Sequence, residues 1–132
     1  MKRKIAWCLA LLICLPMVSA AAVQPRQTTY FDFSFTDLEE QSSKSGQRLS
    51  EDGKDFFLYA YGMNATNVFG CNMRRTINNA RISPYRTYKA TFNNDRTYSV
   101  TVKQGWSVYL RAKKDDSSTT SSALNVNGFF MP

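Results

Sequence analysis

The chain has 132 residues, a formal net charge of +7 from 17 Lys and Arg against 10 Asp and Glu, three cysteines and no histidine. Without histidine, Ser-His-Asp and Cys-His catalysis in their usual forms are excluded, and so few thiols exclude most zinc sites. Glycine-rich phosphate loops are absent too, so no cofactor and no metal is expected.

Residues 1–20 read as a signal peptide. Lys2, Arg3 and Lys4 precede the apolar run "IAWCLALLICLPMV", Ile5 to Val18, and small residues follow at Ser19, Ala20, Ala21 and Ala22. Val18 and Ala20 sit at −3 and −1 of a cut after Ala20, with a cut after Ala22 as the alternative. The run is 14 residues long and contains Pro16. That is short of the roughly 20 residues that span a bilayer. Ile13 before Cys14 is too bulky for a lipoprotein site, and the ending "NGFFMP" has no wall-sorting pattern. The expected product is secreted and extracellular, free or adsorbed to the cell surface, with no transmembrane segment.

Cleavage after Ala20 removes Cys8, Cys14 and three basic residues, and lowers the charge to +4 over the remaining 112 residues. Residues 21–27 read as a flexible N-terminus and residues 28–132 as one secreted domain with a modest core. Cys71 is then the single thiol left, so no internal disulfide can form. Between Phe69 and Met73 it reads as a small buried apolar group; the alternative is a disulfide-linked dimer of an otherwise monomeric protein.

Alternation with period two marks the strands. "TYFDFSFTD", Thr29 to Asp37, places Phe31, Phe33 and Phe35 on one face. A polar stretch follows and ends in the Asp52-Gly53 turn signal. Its "SEDGKD", Ser50 to Asp55, lacks the ligand spacing of a calcium-binding hand. "FFLYAYGM" and "NVFGCNM" then read as two strands, with Phe57, Tyr59 and Tyr61 expected on the apolar face. Asn64 in "NAT" is a glycosylation acceptor only in a eukaryotic secretory pathway.

"YKATF", "RTYSVTV" and "WSVYLRA" read as a C-terminal three-strand meander, turning at Asn93-Asn94-Asp95 and at Gln104-Gly105. Tyr88, Phe92, Val100, Trp106, Val108 and Leu110 would face inward. A sheet that is dry on one side needs an apolar partner, and the phenylalanines of the first strand supply it. The expected fold class is therefore all-β, an antiparallel two-layer β-sandwich. "DDSSTTSSA" reads as a loop and "LNVNGFFMP" as a last short strand, with Phe129, Phe130 and Met131 closing the core or forming an apolar tip.

Charge is uneven along the chain. Residues 21–55 carry four basic and seven acidic side chains, residues 56–132 ten and three, and no acid lies between Asp55 and Asp95. Lys89, Lys103, Arg111 and Lys113, with Tyr109, form the candidate anionic-surface binding set, expected to converge on the wet face of the meander. An anionic cell-envelope polymer or membrane surface is the expected partner; secretion argues against nucleic acid. No carboxylate pair is positioned for glycosidase work, so the expected function is a non-enzymatic extracellular or cell-envelope binding module.

The signal, the β-rich body and the segment "VYLRAKKDDSSTTSSALNVNGFFMP" with Val126, Gly128 and Pro132 resemble small secreted β proteins of Gram-positive bacteria, some of them bacteriocin-like, of the lactococcin class. Related endings carry tryptophan where this chain has Phe129. The resemblance implies an all-β secreted fold and an alternative role as an antimicrobial or toxin acting on cell envelopes. It implies no catalytic residue.

Overall fold

Phe31, Phe33 and Phe35 set the interior of a sandwich, as their spacing requires. A computed structural model describes residues 26–63, 67–119 and 121–132; the signal-peptide reading, most of the N-terminal arm and the Asn64 acceptor lie outside these. The described residues form nine strands and no helix: β1 Thr29–Phe35, β2 Glu40–Ser42, β3 Gly46–Gln47, β4 Gly53–Met63, β5 Phe69–Arg75, β6 Arg86–Tyr88, β7 Phe92–Val102, β8 Ser107–Lys114 and β9 Leu124–Met131. One sheet has the order β1-β9-β4-β7 and the other β2-β8-β5-β6, with β3 also paired to β8. All pairings are antiparallel.

The three rings of β1 are 5%, 2% and 1% exposed, so their burial is nearly complete. Phe69 reaches them from the opposite sheet, with its ring centroid 6.3 to 6.5 Å from each. Leu58, Phe130, Val108 and Leu110 complete the same layer. Each fully buried side chain of this size contributes about 1.5–3 kcal/mol, which stands in for the internal disulfide the domain lacks.

The three-strand meander does not form. β6 pairs with β5, β7 with β4, and β8 with β5, β2 and β3, so three strands adjacent in sequence are distributed over both sheets. Alternation shows which side of a strand is dry but carries no information on its neighbour. Asn93, Asn94 and Asp95 are not a turn: they lie inside β7 opposite Tyr59, Leu58 and Phe57. Pairing with β4 overrides their left-handed preference, and the crossing between sheets is made upstream by Lys89–Thr91. The second turn does form at Gly105, whose φ of 83° needs a residue without Cβ.

Four expected core positions are also displaced. Phe57, Tyr59 and Tyr61 face outward, while Phe56, Leu58 and Ala60 face the core. Both parities of "FFLYAYGM" are apolar, and pairing with β9 decides between them by setting Leu58 opposite the buried Phe130. Val100 is 42% exposed because β7 bulges there: Gly53 pairs with Val102 but Asp55 with Thr97, leaving the intervening residues of β7 out of register. Tyr88, Phe92 and Trp106 are partly buried at the margins of the core.

The C-terminal segment is no projecting tip. β9 runs between β1 and β4, with Phe130 inside and Phe129 and Met131 on the outer side. Cys71 is buried and unpaired, out of reach of an intermolecular disulfide.

Candidate functional site

The residues expected to form one basic face are not brought together. Tyr109, Arg111 and Lys113 do share the outer face of β8, but Lys103 follows β7 of the other sheet and Lys89 lies in the β6–β7 connection. The charges are also engaged. Arg111 is ion-paired with Glu40, Lys113 with Asp116 and Lys103 with Asp52, while the Tyr109 hydroxyl hydrogen-bonds Asn79 Oδ1. Exposed pairs of this kind add little stability, yet they cancel the local charge that would attract an anion.

The acids of "SEDGKD" are likewise spoken for. Asp52 accepts from Lys103 Nζ and from the Gln104 backbone N–H, which hold its carboxyl below the usual range. Asp55 receives Arg26 and the buried Arg48, and Arg48 also donates to the backbone oxygens of Glu51 and Asp55. The segment is a turn fastened by two guanidinium groups.

Among the described residues, two arginines without an ion pair lie where the two sheets gape. β6 and β7 are edge strands, one in each sheet, on the same side of the sandwich. Arg86 pairs opposite the inward Cys71 and Arg96 opposite the inward Phe56, so both side chains start on the inter-sheet side. They line one open groove of about 490 Å³ with Tyr85, Thr87 and Tyr88, and no carboxylate lines it. Among the described residues neither arginine makes an ion pair.

Aromatic packing fixes Arg96. Tyr88 and Phe92 stack with centroids 3.7 Å apart, and the Arg96 guanidinium lies 5.2 Å from the first ring centroid and 5.9 Å from the second. Its Nε donates to the Tyr88 hydroxyl at 2.9 Å. Stacked and tethered in this way, the group has little conformational freedom left to lose on binding. Burial raises the Tyr88 pKa, opposed by Arg96, so its hydroxyl stays protonated.

Tyr85 closes the other flank. Its hydroxyl donates to Asp115 Oδ2 at 2.7 Å, and its ring lies across β5 where Gly70 leaves room. A Cβ on Gly70 would stand 1.7 Å from that hydroxyl. Behind the mouth is a cavity of about 10 Å³ bounded by Phe56, Leu58, Cys71 and Leu110. That is room for one water at most, so a ligand would be held by its charged group at the rim and not by an inserted apolar tail.

Family models, curated proteins and solved structures yield no match to this chain. Among the described residues no helix is long and apolar enough to cross a membrane. Functional inference therefore rests on the groove itself.

Of the expected set, none lines this groove; Lys89 is next to it in sequence, in the connection that follows Tyr88. Arg86 and Arg96 are the residues that sequence reading misses as a pair. Arg86 belongs to the acid-free basic stretch, but Arg96 falls just after an apparent turn, and nothing local shows that β7 returns to face β6. Arg75, in the same stretch, is occupied over the Trp106 ring at 3.6 Å.

Proposed function

We propose that the protein is a non-enzymatic binding module of the cell exterior that holds a phosphate-bearing polymer of the cell envelope at the Arg86–Arg96 groove. The observation that carries this reading is the meeting of two arginines, one from each sheet, in a groove that no carboxylate lines. Guanidinium groups present fixed forks of donors to phosphate oxygens, and such charge-assisted bonds are about twice as strong as neutral ones. Lys89 adds long-range attraction.

A catalytic role has less support. The chain has no histidine, and burial pushes the Cys71 thiol up to about 12, far from the thiolate needed for nucleophilic work. The export pattern of residues 1–20 gives the envelope as the setting.

The test is adsorption to immobilised poly(glycerol phosphate) across a salt series. Arg86→Gln with Arg96→Gln should weaken binding at least tenfold, and salt should weaken the wild type steeply. Lys103→Gln or Lys113→Gln should change binding less than twofold, because each lysine already has a carboxylate. A reversed ranking, or binding indifferent to salt, would remove the proposal. Dye entry into Gram-positive cells at concentrations that saturate binding would point instead to the antimicrobial role.

A further inference from the structure

The outer surface of the β1-β9-β4-β7 sheet presents a second, chemically different face. Tyr30, Phe129 and Tyr59 stand opposite one another on three adjacent strands, with Asn93 of β7 completing the row. Their centroids are 5.8 Å apart from Tyr30 to Phe129 and 5.3 Å from Phe129 to Tyr59. Phe57 and Tyr61 extend the cluster along β4, at 5.8 Å from Phe129 and 5.6 Å from Tyr59. Tyr30 and Tyr61 are 67% and 51% exposed, while Phe57, Tyr59 and Phe129 between them are half-buried. A contiguous aromatic patch on one face of a sheet marks an interaction site more often than an idle surface.

The charge around the rings selects the partner. The outward neighbours are Asp32 and Asn127, paired on β1 and β9, and Asn93 and Asp95 on β7, while Lys44 is the one cation that lines the hollow beside Tyr30, Asp32 and Tyr61 among the described residues. The guanidinium at the margin, Arg26, is ion-paired with Asp55. Phosphate-bearing chains, nucleic acids and anionic membranes would meet two carboxylates against the single Lys44, a balance that disfavours them. A neutral polyol fits. Its C–H faces pack on rings, and its hydroxyls donate to Asp32 and Asp95 and exchange hydrogen bonds with Asn127 and Asn93.

The intervals of 5.3 and 5.8 Å follow from the strand spacing of the sheet and make one continuous row of rings across β1, β9 and β4. Phe129 is tilted by 60° from Tyr30 and 61° from Tyr59, which makes the surface corrugated. Such a surface suits a single twisted chain in solution better than the flat face of a crystalline fibre. We infer that the row Tyr30–Phe129–Tyr59, with Tyr61 and the flanking Asp32 and Asn127, is a binding site for an uncharged polysaccharide chain. It does not rest on the phosphate reading: it uses the outer face of the β1-β9-β4-β7 sheet and stacking, whereas the phosphate groove lies at the inter-sheet edge, where β7 of this same sheet contributes Arg96.

The experiment is native affinity electrophoresis of the whole protein through gels containing a soluble β-glucan, a xylan or a glucomannan, at low and high salt. At least one polymer should retard the protein, to the same extent at both salt concentrations. Tyr30→Ala with Tyr61→Ala should weaken that retardation about tenfold or more, as removal of stacking rings does. Both side chains are exposed, so the thermal midpoint of the variant should move by only a few degrees, which separates loss of binding from loss of fold. Arg86→Gln with Arg96→Gln should leave the retardation unchanged. Free migration in all three polymers would overturn the inference, as would equal retardation of the tyrosine variant. So would retention by a lysine-rich peptide alone, or a wild-type dimer in sedimentation that the tyrosine variant abolishes, since the face would then serve a cationic partner or a second copy.

Discussion

Replacing Phe56 and Phe57 separately by alanine tests the register of β4, on which both proposed faces depend. Phe56 is 4% exposed and stacks on Tyr98 with centroids 4.4 Å apart, so its removal opens a cavity between the sheets. Such truncations cost about 3–5 kcal/mol, a large share of the roughly 5–15 kcal/mol that holds a domain of this size. Phe57 faces outward against Phe129, at 5.8 Å, and its removal should cost only about 1 kcal/mol. With a urea dependence of ~1.5 kcal/mol per molar, the midpoint should fall by about 2–3 M for Phe56→Ala and by less than ~1 M for Phe57→Ala. The slope should be unchanged in both. Equal losses, or a larger loss at Phe57, would show that β4 presents its other face to the core and would refute the reasoning.

Acid should weaken the fold partly through Asp115. Burial raises the pKa of this carboxyl, but hydrogen bonds from Ser117 and Tyr85 outweigh it and hold it below the ordinary value. A carboxyl lowered in the folded state stabilises above its unfolded pKa of about 3.9 and loses that contribution as pH falls through the folded value. Asp115→Asn should therefore lose less stability than wild type between pH 6 and pH 3 in urea titrations, and an equal loss would assign the effect elsewhere. Cys71 should be silent to a thiol reagent at pH 8 in the native protein and react fully in urea, since burial pushes its thiol up to about 12; reaction in the native state would contradict its place in the core. Gly105→Ala should lower the thermal midpoint by roughly 4–8 °C, the equivalent of ~1 kcal/mol, through left-handed backbone strain alone, because nothing lies within 4 Å of a Cβ built there.

What the sequence discloses is the inside of each strand more than the company it keeps. Phe31, Phe33 and Phe35 alternate with Asp32 and Ser34, so the dry face of β1 is unambiguous, and the same holds for Val108 and Leu110 in β8. In β4 the contrast vanishes, because Phe57, Tyr59 and Tyr61 are as apolar as Phe56, Leu58 and Ala60. Only the pairing of Leu58 with Phe130, more than seventy residues away, decides the outcome. Asn93-Asn94-Asp95 has strong local turn chemistry, yet it continues a strand because β4 pairs with it along one side, opposite Tyr59, Leu58 and Phe57. The candidate groove was hidden for the same reason. Arg86 and Arg96 become neighbours only when β6 joins one sheet and β7 the other, and no short-range pattern encodes that choice. Lys103 and Arg111 read as part of a basic row because their partners Asp52 and Glu40 are more than fifty residues away in sequence, whereas the partner of Lys113 is only three residues on, at Asp116.

The most direct test of the account is a double-mutant cycle at the inter-sheet groove, read as affinity for poly(glycerol phosphate) in wild type, Arg86→Gln, Arg96→Gln and the double variant. If both guanidinium groups grip one phosphate, each single change weakens binding and the second change costs less once the first is made. The predicted coupling exceeds ~0.5 kcal/mol, above the spread expected of independent sites. Purely additive effects, or affinities that both arginines leave untouched, would contradict the claim that the two sheets converge to form one anion-binding groove.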